Sequence, residues 1–269
     1  MGRARSTAVR GGALALIAVM VAGCETALAA TVGAGSVLAA PHATLRVTLT
    51  PERLGAGTTI RFGFTITLPH GRVPPPLRGI DLRYPANIGL ITSGLGIATC
   101  EQAALERLGP PGCSPDSLLG YGSARVEIPF AEETLEESGE LTTWMAPIRN
   151  GHLSLLFLAE GKTPISASLV FPGIIAAARF PFGGSLQTEI PVIPSVPERP
   201  NASVVQLTST IGPRHILYYT YIHGKRITYQ PNGLRLPNTC PHGGFPFAAT
   251  FTFLDGSRTQ VQTAVPCPQ

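Results

Sequence analysis

"TTIRFGFTITL", residues 58–68, sends Ile60, Phe62, Phe64, Ile66 and Leu68 to one side and Arg61, Thr65 and Thr67 to the other. A period of two over eleven residues is the signature of a strand with one buried and one solvated face, the usual state of a strand in an antiparallel sheet. The segment before it behaves alike: "ATLRVTLTP" (43–51) alternates Leu45, Val47 and Leu49 with Arg46, Thr48 and Thr50. Comparable runs follow at 77–84, 120–130, 140–148, 152–161, 165–173, 174–182, 185–193, 203–212, 215–224, 247–256 and 259–265, which makes about 13 strands. The chain has 30 Gly and 26 Pro in 269 residues, far above the usual share of roughly 12%. Most of them fall between the runs, where turns are needed. An all-β fold is therefore predicted, an antiparallel β-sandwich of jelly-roll or concanavalin-like style.

One segment breaks the pattern. "TCEQAALERLGPP" (99–111) is rich in helix formers and offers Thr99 and Gln102 as a capping box, Gly109 as a stop and Pro110–Pro111 beyond it. A single short helix is expected at about residues 99–109.

The first 29 residues read as a leader. Arg3, Arg5 and Arg10 precede the apolar run "ALALIAVMVAG" (13–23), which has the length of a secretory signal core and is too short for a membrane span. "ALA" at Ala27–Ala29 fits ordinary signal peptidase, whereas "VAGC" at Val21–Cys24 resembles a lipobox that would end the leader at residue 23 and lipidate Cys24. Residues 30–41 read as a flexible tether and 42–269 as one β-domain. "PVIPSVPERP" (191–200) marks either a sub-boundary or, more economically, a crossing between sheets with prolines where no ladder donor is needed.

Export changes how the remaining composition is read. Removing Arg3, Arg5 and Arg10 from the 20 basic residues leaves 17 against 16 acidic, so the charge gives no case for a nucleic-acid partner. Of five cysteines, Cys24 leaves with the leader or carries lipid. Cys100, Cys113, Cys240 and Cys267 remain, an even set that reads as two disulfides in an oxidising compartment. Four cysteines allow three pairings, and closeness in sequence favours 100 with 113 and 240 with 267.

Candidate chemistry is sparse. Cys240 and His242, with His215 or His223, lack the spacing of a zinc site. "GYGSA" (120–124) is no nucleophile elbow. The acidic cluster Glu132, Glu133, Glu136, Glu137 and Glu140 could flank a sugar bond or hold calcium, but reads best as a solvated turn. No catalytic residue, metal or cofactor is assigned. The most suggestive stretch is "RHILYYTYIHGKRITYQ" (214–230): alternation puts His215, Tyr219, Tyr221 and His223 on one face, near Lys225 and Arg226. Such a face could stack sugar rings or meet anionic polymer; the plainer reading is a strand buried on both sides.

"LPNTCPHGGFPFAATFTFLDG" (236–256) with "VPCP" (265–268), and "PPGCSPDSLLGYGSA" (110–124), resemble motifs of exported β-rich proteins of unknown function from high-GC Gram-positive bacteria. The resemblance implies an exported β-rich chain with these four cysteines paired, and supplies no catalytic residue. The expected role is that of a non-enzymatic exported or cell-envelope module, its partner class a cell-wall polymer or glycan, with membrane attachment only through a lipid on Cys24. A carbohydrate-binding module or carbohydrate-active enzyme on the same scaffold is the alternative.

Overall fold

A computed structural model describes residues 40–90, 98–130, 133–161, 166–193, 195, 200–212, 216–229 and 233–268. The expected leader and all but the last two residues of the expected tether, with Cys24, His215 and Glu132, lie outside the described residues. Within them run β1 (His42–Thr50), β2 (Gly57–Thr67), β3 (Leu77–Pro85), β4 (Gly89–Leu90), α1 (Gln102–Leu108), β5 (Leu118–Phe130), β6 (Glu133–Arg149), β7 (His152–Gly161) and β8 (Ala167–Ala177). They are followed by β9 (Phe182–Glu189), β10 (Ser203–Ile211), β11 (Tyr218–Ile222), β12 (Lys225–Tyr229), β13 (Leu234–Arg235), β14 (Phe245–Phe253) and β15 (Arg258–Val265).

The all-β antiparallel reading holds. All but two strands join one sheet in the order β15-β14-β3-β9-β8-β7-β6-β5-β10-β2-β13-β4, with β1 also paired to β2. Every pairing is antiparallel, including β1 with β2 from His42↔Thr67 to Thr50↔Thr59. The sheet curls until β1 lies beside β15, where the Thr259 hydroxyl donates to the Pro41 carbonyl at 2.5 Å. The result is a nearly closed barrel whose opposite walls pack as the two layers of a sandwich would. No backbone ladder joins β1 to β15 among the described residues; their packing against each other covers edges that would otherwise be open to pairing with another chain.

Alternation sets what fills it. Phe62, Phe64 and Ile66 of β2 and Leu45 and Leu49 of β1 are buried inside, while Arg46, Arg61 and Thr67 face out. β14 sends Phe245, Phe247, Ala249, Phe251 and Phe253 inward, and the Phe64 and Phe251 rings meet across the interior at 4.8 Å. Two glycines of β5 allow a tight fit: a Cβ on Gly122 would stand 2.0 Å from the Thr208 carbonyl oxygen of β10, and one on Gly120 2.2 Å from that of Thr210. "GYGSA" is thus a place where two strands crowd.

A second, smaller core lies on the outer face of β6 and β7. Leu105 of α1, Cys100 and Cys113 pack there on Trp144, Ala146, Leu156 and Leu158. The helix is shorter than the sequence suggests and the capping box is not formed. Its N-cap is Glu101, without a side-chain hydrogen bond, and the Cys100 amide, which a helix starting at Thr99 would place in its first turn, donates to the Met145 carbonyl of β6 at 2.7 Å. Docking to β6 thus outweighs the local cap. The stop is as expected, with Gly109 at φ 64° donating to Leu105.

Two further expectations are revised. The runs 165–173 and 174–182, read as separate strands, meet in one strand, β8 (Ala167–Ala177), and Phe182 already opens β9. Pro172 lies one residue before the ladder to β9 begins at Gly173↔Thr188, so it removes no rung from that ladder. Gly173 is a packing glycine, its would-be Cβ 2.7 Å from the Phe157 ring. The acidic cluster is also no turn. From Glu133 onward it lies in β6, paired with β5 through Phe130↔Glu133 to Ser123↔Glu140. Glu136 points outward to Arg125 at 3.0 Å, and Glu137 is buried.

The proline-rich segment links β9 to β10, which four strands separate in the sheet order. Ile193 and Ala202 bridge across it, and the Ser195 hydroxyl donates to the Pro200 carbonyl at 2.7 Å. The two ends of the segment are thus held close together, while residues 194 and 196–199 lie outside the described residues.

Candidate functional site

β11 and β12 form a separate two-stranded sheet, paired Tyr218↔Tyr229, Tyr219↔Thr228, Thr220↔Ile227, Tyr221↔Arg226 and Ile222↔Lys225. Neither strand is buried on both faces as the plainer sequence reading had it: Tyr221, Ile222 and Ile227 are exposed, and Leu217 at the base is 70% exposed. The reason is composition. Lys225, Arg226 and Thr228 on the return strand leave no apolar partner layer, so the pair stands out from the barrel.

An isolated hairpin is marginal in water, so its anchors decide whether it is a defined surface. The Tyr218 ring is wholly buried at the base, packs on Tyr229 at 5.8 Å, and donates its hydroxyl to the Leu118 carbonyl at 2.7 Å. The Tyr219 amide donates to the Asp116 carboxylate at 3.1 Å. Asp116 is held in the short helical turn Pro115–Ser117, which follows directly on Cys113, itself bonded to Cys100. The central motif of the chain thus fixes the base of the hairpin 100 residues later.

Burial raises the Tyr218 pKa well above its ordinary value of 10, helped by the neighbouring Tyr229 and Asp116. Tyr229 is raised by desolvation and then by Asp116, and Tyr84 by burial. The raised folded value means the protonated phenol is the form that folding favours. Its contribution is complete below the unfolded pKa and is lost as pH climbs through the folded one. Spectrophotometric titration should show these three phenols ionising above the ordinary tyrosine range, with unfolding or hairpin release accompanying the last. Tyr218→Phe should remove one late phenol. A single unshifted tyrosine transition would contradict this anchoring.

On the outward face Tyr219 and Tyr221 meet edge-to-face, with centroids 6.0 Å apart and planes at 89°. The Arg226 guanidinium lies 4.4 Å from the Tyr219 ring centroid, within cation–π range. Tyr219 and Tyr221 are thus brought together as the alternation implied. His223 is not with them: it occupies the turn at φ 49°, next to Gly224 at φ 75°. From Leu217 to Tyr229 there is no acidic residue. The face offers π surface for a sugar ring and positive charge for an anion. The sequence reading missed Asp116, which neighbours the hairpin only once β5 is folded.

A second surface also escaped it. Thr44, Arg46, Thr48, Arg61, Thr65, Gln206 and Thr208 line a shallow groove of about 470 Å³ on the outer face of β1, β2 and β10. Alternation puts both arginines outside, but only the register, Arg46↔Gly63 and Thr48↔Arg61, shows that they share one groove.

The remaining candidates are structural. Cys240 and Cys267 are bonded to each other, Cα atoms 5.8 Å apart, as are Cys100 and Cys113 at 5.1 Å, so the Cys240–His242 pair has no thiolate to offer a metal. Trp144, the one tryptophan of the chain, is buried and donates to the Thr142 hydroxyl at 2.9 Å. Among the described residues no helix is long and apolar enough to cross a membrane.

Comparison with protein-family models, with curated proteins and with solved structures gives no match.

Proposed function

We propose that this chain is an exported, non-enzymatic module of the cell envelope or extracellular space that binds an anionic or glycan wall polymer through the β11–β12 hairpin. The observation that carries the reading is the Tyr219–Tyr221–Arg226 face: two rings and a guanidinium on a strand pair held at its base, with no neighbouring acid in the hairpin. The paired cysteines and the leader support export.

The test is co-sedimentation of the purified protein with isolated wall polymer, teichoic acid and peptidoglycan being assayed separately. Tyr219→Ala/Tyr221→Ala should weaken binding at least tenfold, and Arg226→Gln should weaken it and flatten its salt dependence. Intact mass of the exported protein should place the N-terminus at a lipidated Cys24 or near Ala30, with four hydrogens missing. Undiminished binding by the double tyrosine variant would remove the hairpin from the reading, and retention in the cytoplasm would remove the envelope role.

A further inference from the structure

The barrel interior is not filled. Three cavities, of about 70, 40 and 70 Å³, follow one another inside the sheet. The first is walled by apolar side chains, including Leu119, Leu155, Ile175 and Leu234, with the Tyr84 ring at its edge. It shares Phe62, Leu82 and Leu186 with the second. The second shares Leu141, Phe171, Ile190 and Leu207 with the third. Single side chains are therefore all that divides the voids.

Their order along the strands gives the axis. On β10, Ile211 lines the first cavity, Leu207 the second and third, and Val204 the third. At a rise of about 3.3 Å per residue, that is a path of roughly 20 Å. Apolar cavities such as the first two stay dry, and empty volume in a core costs stability. Barrels with more strands than their own side chains can fill are where ligands are enclosed.

We propose that the interior binds one unbranched acyl chain, lying along this axis with its headgroup at the end of the barrel where the hairpin is attached. The line of narrow voids suits a linear tail and not a compact ring system. The two ends differ. The first cavity lies where β5 starts and β10 ends, beside the Leu118 carbonyl that holds Tyr218. There the Tyr84 ring lies across Gly184, whose missing side chain makes the room: a Cβ would stand 2.1 Å from the Tyr84 hydroxyl. At the far end Glu137 and Glu160 line the third cavity, and the proline-rich crossover contributes Ile193. Carboxylates there oppose an anionic head, so the tail points toward them. The inference is independent of the polymer reading and uses none of its residues.

The experiment is fluorescence titration of the delipidated exported protein with cis-parinaric acid. A saturable rise at one probe per chain is expected. Ala159→Phe in the third cavity and Ile175→Phe in the first should each weaken binding at least tenfold without lowering Tm, because they occupy existing space. Tyr221→Ala should bind the probe as the parent does. Displacement of the probe by saturated fatty acids, on the unmodified protein alone, should tighten by roughly fourfold per added methylene and level off once the tail fills the path. Absence of saturable binding, binding unchanged in both filled variants, or affinity independent of chain length would each overturn the proposal. Should the filled variants fail to fold, the chain-length series still decides.

Discussion

Phe251→Ala should lower stability by about 3–5 kcal/mol, the range for deleting a large buried aromatic. Phe251 is wholly buried, and its ring is set against Phe64 at 4.8 Å and 58°. The two rings come from β14 and β2, which are not neighbours in the sheet, so the contact joins opposite walls. Truncation would leave a void beside an interior that already holds several, and little nearby could collapse into it. The loss of dispersion contacts would then add to the transfer term. Urea unfolding should show a lower midpoint at unchanged slope, and Tm should fall by on the order of 10 °C. Phe180→Ala, at a side chain 90% exposed, should stay within about 0.5 kcal/mol. A Phe251 loss below about 1 kcal/mol would mean that the walls do not meet there.

How much of this was legible in the sequence depends on the range of the forces involved. The inward set of β2 could be read off residues 58–68, because alternation is a local property and burial confirms it at Phe62, Phe64 and Ile66. The hairpin of β14 and β15 has a local cause too: Asp255 and Gly256, a dipeptide suited to a tight turn, lie in the turn, and the Asp255 carboxylate accepts from the Ser257 amide at 2.9 Å. The position of α1 was legible, though its first residue was not, since the Cys100 amide is tied to the carbonyl of Met145, distant in sequence. Closure was out of reach. That β1 comes to rest beside β15 follows from the summed twist of all the strands between them, and no window of residues encodes it.

The candidate site divides the same way. Tyr219 and Tyr221 share a face for the local reason that two residues separate them. The exposure of that face depends on the return strand, and its rigidity on Asp116. The strands flanking the hairpin explain why a segment rich in tyrosine was also readable as core: Tyr218 is indeed core, while Tyr221 three residues on is 64% exposed. A single strand can thus leave the interior within one turn of alternation, and only the register with β12 shows where. The cavities left no trace in the sequence at all, because volume is a property of the closed barrel and not of any strand.

Cys240→Ala/Cys267→Ala should cost about 3.6 kcal/mol in the chain-entropy picture, from freeing a closed stretch of 28 residues in the unfolded chain. The pair ties the segment before β14 to the residues after β15. β15 is the strand that lies against β1 at the seam, held there by side-chain packing and the Thr259–Pro41 hydrogen bond. Amide exchange should therefore accelerate first in β15 and β1, ahead of β6 and β7. The Cys100→Ala/Cys113→Ala variant, freeing a stretch of 14 residues, should lose about 3 kcal/mol with a different local signature. It would loosen α1 and the turn carrying Asp116, so exchange should rise in the hairpin, and Tyr218 should ionise closer to its ordinary pH. The two variants thus separate a staple that holds the barrel shut from one that holds the β11–β12 hairpin still. Identical exchange patterns in both, or free thiols in the purified protein under non-reducing conditions, would refute that division.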